Sequence, residues 1–263
     1  ALQTVEEPVR QKFIKDYSKT ANKSQKVALK ETVETFGNAV SFHTFAGLME
    51  ETQTYDKILE GADALFMKYG IRSVTMDDIA RHLAVSKKTL YQYFADKDEL
   101  VYKMSEKFLD RAFHQYDTIS RSSKNSIEEL SKISVCMKHD MEHMNPSMLF
   151  DLQKYHTRAW NLWSEHKGKV ISESVVRNIR KGVEDGYFRP EVNPEILAYI
   201  RIALIESAFN GEVFPRERFS LVDVQLQLFE LFVHGLCTEK GKKLYQKYKE
   251  NTQITNQPNE AVL

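Results

Sequence analysis

Lys87, Lys88, Thr89, Tyr91, Gln92 and Tyr93 crowd into seven consecutive residues, bringing together cations, hydroxyls and an amide. These are the groups that meet phosphate oxygens and base edges. Leu90 and Phe94 stand four apart, which places both on one helical face and leaves the polar set free on the rest of the surface. Upstream runs Thr75-Met-Asp-Asp-Ile-Ala-Arg-His-Leu-Ala-Val-Ser86, in which Ile79, Ala80 and Leu83 share a face before a short turn. The pair reads as a helix-turn-helix that grips DNA. Its charge agrees: from Arg81 to Lys97 the chain holds Arg81, Lys87, Lys88 and Lys97 against Asp96 alone, with His82 in reserve.

That patch is local, because the 263 residues balance 37 Lys and Arg against 37 Asp and Glu. Attraction to nucleic acid therefore comes from the patch and not from the bulk charge. With 42% hydrophobic residues, 10 Gly and 6 Pro, and with apolar residues recurring at three- and four-residue spacing, the chain reads as all-α. A helix is expected from Tyr55 to Tyr69, with Ile58, Ala62, Leu65, Phe66 and Tyr69 in one stripe and Gly70 as its stop. Thr75 can cap the second helix with Asp78 three residues on, Ser86 can cap the basic helix, and Asp96-Lys-Asp-Glu99 opens a fourth. An amphipathic helix then extends from Leu100 to about Arg121 and links two domains.

Breaks at Asn145-Pro146, Lys167-Gly168, Gly186 with Arg189-Pro190, Asn193-Pro194 and Gly211 to Pro215 divide the remainder into some five helices. The expected organisation is an extension at 1–54, a helix-turn-helix domain at 55–103, a helical regulatory and dimerisation domain at 104–248 and a polar tail at 249–263. In the extension Val9, Phe13, Val27, Val33 and Phe36 give only a weak helical pattern. Met49 makes a natural start, so residues 1–48 are expected to be dispensable for the core function.

Other chemistry has less support. Cys136 and Cys237 lie far apart and give no disulfide framework, no apolar run approaches the ~20 residues that span a bilayer, and the N-terminus lacks a secretory pattern. The expectation is a cytoplasmic protein with no membrane partner. His139 and His143 lie one turn apart and could share a metal with Cys136 or Glu142, but no further ligand completes a site, so no metal and no cofactor are expected. Without a Gly-rich phosphate loop, a Gly-x-Ser-x-Gly elbow, His-Glu-x-x-His or Cys-x-x-Cys, the chain is not expected to be an enzyme.

The ordered series Gly70, Thr75-Met-Asp-Asp-Ile-Ala80, Leu83-Ala-Val-Ser86, Thr89-Leu-Tyr-Gln-Tyr-Phe94 and Lys97-Asp-Glu-Leu100 resembles the DNA-binding domain of TetR-type transcriptional regulators, over Ile58 to Met104. The resemblance implies a homodimer whose two amino-terminal domains occupy successive major-groove segments of a partly palindromic operator. It assigns Thr75, Tyr91, Tyr93 and Lys97 to phosphate contacts and leaves Lys87, Lys88, Thr89 and Gln92 as base readers. It also implies a carboxy-terminal domain in which a small molecule favours the conformation that releases DNA.

A pocket for a small apolar or amphipathic effector could be built from Met137, Met141, Met144, Phe150, Tyr155, Trp160, Trp163, Tyr199 and Phe209, residue types that adapt to apolar ligands. The same stripes also suit a packed core. The two most apolar helices, 195–209 and 222–237, must bury two faces, which points to a second subunit. The expected function is a transcriptional regulator, a repressor released by its effector, with an activator as a variant. The alternative is an architectural or protein-adaptor module that uses the same DNA-binding unit without an effector.

Overall fold

The computed structural model describes residues 42–255, with side chains from Gln53 to Asn251. The weak pattern from Val9 to Phe36 and the tail around Pro258 lie outside the described residues. By its contacts the chain divides into two units, 1–58 and 59–263. The first contributes, among the described residues, the opening part of helix α1, Phe42–Tyr69. This helix begins well before the expected Tyr55, because nothing between Phe42 and Tyr55 is a glycine or proline that would stop it except Gly47, which a helix tolerates.

From Leu59 to Thr255 every element among the described residues is helical. α1 ends at Gly70, whose φ of +80° is the left-handed geometry that glycine adopts at a helix C-terminus. A Cβ there would also meet Ser147 Oγ at 2.8 Å. α2 (Met76–His82) and α3 (Lys87–Tyr93) form the helix-turn-helix. α4 (Lys97–Ser122) starts at the Asp96 cap, whose side chain accepts the Glu99 N–H, and runs unbroken across the expected domain boundary at 103.

The carboxy-terminal bundle comprises α5 (Ser126–Glu142), α6 (Met148–Tyr155), α7 (Thr157–His166), α8 (Ser172–Glu184), α9 (Pro194–Ala208), α10 (Leu221–Leu236) and α11 (Glu239–Thr255). Its main core gathers Ile127, Leu130, Met137, Ile179, Phe188, Phe229, Val233 and Tyr245. Gly168 does not break the chain as expected: a π-helical turn, Lys167–Ile171, joins α7 to α8, with the Ser172 N–H reaching back to the Lys167 carbonyl. The break between α6 and α7 has no Gly or Pro. It falls at His156, which is buried and holds Asp98 of α4 through Nδ1 at 2.9 Å. α11 carries helix through 251–255, where a polar tail was expected.

A DNA-recognition surface and an inner cavity

The recognition surface is positioned from within. Thr75 closes a capping box: its Oγ1 accepts the Asp78 N–H at 3.2 Å while Asp78 Oδ2 accepts the Thr75 N–H at 2.9 Å. The Thr75 hydroxyl also donates to Asp78 Oδ2 at 2.6 Å, so its one proton is committed to the cap. These two bonds to Thr75 hold the Asp78 carboxyl below its ordinary range. α2 then ends in a Schellman turn, with Val85 N–H on Ala80 O at 3.0 Å and Ala84 N–H on Arg81 O at 3.2 Å. Ala84 takes the left-handed position, φ 53°, usually left to glycine. α1 fits directly against this turn: a Cβ on Gly61 would lie 2.4 Å from Leu83 Cδ2.

Ser86 caps α3 by accepting the Thr89 N–H at 2.9 Å, and the two hydroxyl oxygens lie 2.8 Å apart. Leu90 and Phe94 are fully buried. At ~100° per residue, Lys88 and Gln92 sit opposite Leu90, at the centre of the outward face. Lys87 and Tyr91 flank them on one side, Thr89 and Tyr93 on the other. Lys88, Tyr91 and Gln92 are exposed, whereas Thr89 and Tyr93 are half-buried. Lys87 is exposed as well, and its Nζ pairs with Asp77 Oδ2 at 2.6 Å, an exposed pair of little energetic weight. Lys97 opens α4 with its ammonium 5.9 Å from the Phe66 ring centre, and partial burial pushes its pKa down.

The carboxy-terminal bundle, with α4 and Met67 of α1, lines a partly open, largely apolar cavity of about 490 Å³. Of the nine residues expected to line a pocket, it brings together Met137, Met141, Met144, Trp163 and Phe209. It does not bring in Phe150, Tyr155, Trp160 or Tyr199. Phe150 and Tyr155 are exposed and meet edge to face, and Tyr199 is 73% exposed on the outer side of α9. Trp160 sits under the Lys167 ammonium. Periodicity alone could not tell the inner from the outer face of these helices, because both carry large apolar residues.

The cavity also contains residues the sequence reading passed over, among them Phe108, Phe113, Asn178, Arg201, Gln225 and Phe229. One signal was available: Arg201 is the only charge in the apolar run from Ile196 to Ile205. As for the histidines, His139 and His143 are exposed with ring centres 5.8 Å apart, while Cys136 is buried with its thiol toward Asp140. Among the described residues no three metal-ligating side chains converge.

α6 belongs to both regions. Met148, Leu149 and Leu152 line the cavity, while the buried Asp151 turns to the recognition unit. Asp151 Oδ2 accepts the Arg72 N–H and the Ser147 hydroxyl, each at 3.1 Å. Next to this joint, Asn145 Nδ2 donates to the Lys68 carbonyl at 3.3 Å, and Arg72 stacks over the Tyr155 ring.

Residues 58–104 match the family model described as "Bacterial regulatory proteins, tetR family". The HTH-type transcriptional repressor KstR2 of Mycobacterium tuberculosis is 28% identical over 144 residues, spanning 54% of this chain and 72% of that protein. The HTH-type transcriptional regulator YvaF of Bacillus subtilis is 26% identical over 169 residues, 64% of this chain and 88% of its own length. Among solved structures, that of the ketosteroid transcriptional regulator KstR2 of M. tuberculosis superposes with a TM-score of 0.51 at 25% identity, over 71% of this chain and 96% of that one. A regulator from Saccharomonospora viridis in complex with choline shares the fold, with a TM-score of 0.60 at 18% identity over 72% and 100% of the two chains. Fold and recognition helix together define a helix-turn-helix DNA-binding transcriptional regulator. Residues 58–104 are thus a DNA-binding domain of the tetR type, and the relatives named above are regulators of that kind.

Proposed function

We propose that the protein is a homodimeric repressor that leaves its operator when a small molecule fills the inner cavity. The single observation that carries this reading is the double role of α6, with cavity-lining residues on one side and Asp151 holding the recognition unit on the other. A ligand that moved α6 would move the attachment of α1 to α3, and so the spacing of two recognition helices in a dimer. To turn a mostly bound population into a mostly free one, the ligand must prefer the released state by ~5.5 kcal/mol.

On DNA, Lys88 and Gln92 are the central base readers, with Lys87 and Thr89 beside them, and Tyr91, Tyr93 and Lys97 contact phosphates. Thr75 serves first as the cap of α2, since a phosphate could accept its hydroxyl proton only by displacing Asp78. The dimer forms through α9 and α10. Ile196, Tyr199 and Ile200 of α9 and Leu231 of α10 are exposed, an apolar surface that a second subunit would cover. This reading makes the chain a binding protein and not an enzyme, working in the compartment that holds the DNA. The apolar cavity and a relative named for ketosteroid regulation favour an apolar or amphipathic effector.

The test is a titration of the full chain against a duplex selected for binding. Asp151→Ala is expected to bind DNA and ligand but to lose at least tenfold of the ligand's effect on DNA affinity. Undiminished coupling in that variant would overturn the route through α6.

A further inference from the structure

The cavity is not uniformly apolar. Arg201 of α9 enters it, 5% exposed, and its contacts are poor for a cation. Nη2 reaches only the Met137 sulfur at 3.3 Å, the guanidinium lies 5.0 Å from the centre of the Phe229 ring, and Nη1 has no hydrogen-bond partner. A buried guanidinium without a counter-ion is costly and is retained where something else supplies the anion. None of the four carboxylates on the cavity wall, Asp117, Glu129, Asp140 and Glu173, pairs with Arg201: Glu129 is taken up by Asn178 at 2.8 Å and by Arg177 at 3.4 Å, Asp117 is held by Arg121 at 2.8 Å, and Asp140 faces the Cys136 thiol. Tyr116, also on the cavity wall, has its pKa pushed up by burial and stays neutral. Burial lowers the Arg201 pKa to about 10, which leaves it cationic at neutral pH. On the same cavity wall, Gln225 stands one turn before Phe229 on α10; it donates an amide N–H to the Ile205 carbonyl and keeps an unpaired Oε1.

We infer that the cavity binds an apolar molecule carrying one carboxylate, with the carboxylate on Arg201 Nη1 and the hydrocarbon body among the methionine and aromatic side chains. The inference deepens the effector-responsive reading and rests on it. A carboxylate brings the acceptor that Nη1 lacks, and the largely apolar surroundings of the buried guanidinium strengthen the ion pair. Neutral apolar molecules leave Arg201 unpaired. Cations are repelled.

The test uses the full chain and a set of matched probes: saturated C8 to C16 carboxylates and a steroid carboxylate, the alcohol and amine of the same skeletons, and the coenzyme A thioesters of the same acids. Binding is read by calorimetry and by the fluorescence of Trp163 in a Trp160→Phe background. The acids are expected to bind at least tenfold more tightly than the alcohols and the amines not at all. In Arg201→Met the acid-over-alcohol ratio is expected to fall to near one with alcohol binding retained, and in Arg201→Lys part of the preference should return. If Arg201→Met does not fold, Arg201→Lys and the wild-type ratios still decide. Equal binding of acid and alcohol by the wild type, an unchanged ratio in Arg201→Met, tighter binding of the thioesters than of the free acids, or no saturable binding of any acid would each overturn the inference. Acids that bind without releasing DNA would leave this site standing and remove the repressor reading. Release by alcohols alone would do the reverse.

Discussion

Ala84 illustrates how a single backbone position is set by its neighbours. The turn between α2 and α3 needs a left-handed residue at the Schellman position, and alanine occupies it at a cost that glycine avoids. Ala84→Gly is therefore expected to raise unfolding free energy by ~1 kcal/mol, measured by urea denaturation, with DNA affinity unchanged or improved. A destabilised variant would show that the turn relaxes in solution. On the outward face of α3, Lys88→Ala and Gln92→Ala are expected to change sequence preference, by ~1–3 kcal/mol at one base position each. Lys97→Ala should weaken binding to every sequence and lower the salt slope by ~0.9. Arg201→Met makes a different point: removing an unpaired buried cation should raise the melting temperature of the ligand-free protein, by the equivalent of ~1–4 kcal/mol. The caps at Thr75, Ser86 and Asp96 were legible in the sequence because their partners lie three residues away. Arg201 was not read, because its meaning depends on what the inner side of α9 packs against.

Among the elements, the recognition helices could be read in advance since their apolar residues fix a single buried face. The segment from Met148 to Glu184 could not. Its α6–α7 break falls at His156, which holds Asp98 of α4, and the expected break at Gly168 is bridged by a π-helical turn that places Lys169, Val170 and Ile171 on the cavity wall. Neither event has a local cause in the sequence. Helix α6 is the element on which the functional account turns. Asp151→Ala leaves the Arg72 N–H without its acceptor, so a stability loss of ~1–3 kcal/mol is expected by denaturant titration together with the uncoupling described above. Gly61→Leu should be worse for DNA binding, since its side chain would have to displace Leu83 from the turn.

For the molecule as a whole, the excess of apolar residues on α9 and α10 was visible in the sequence, and Tyr199 and Leu231 are now seen on the outside, at 73% and 66% exposure. Tyr199→Glu with Leu231→Glu is expected to shift the protein from dimer to monomer in sedimentation and to weaken DNA binding at least tenfold, since each monomer then engages one half-site alone. A dimer that survives both changes would place the interface elsewhere. No helix among the described residues is long and apolar enough to cross a membrane.

The most direct test of the central claim is selection of bound sequences from a random duplex pool by the full chain, repeated with Lys88→Ala and Gln92→Ala in one variant. The wild type should enrich a partly palindromic site with half-sites ~10 base pairs apart, and the variant should lose the preference inside each half-site while still retaining DNA. Enrichment of the same motif by both proteins, or of none by the wild type, would contradict it.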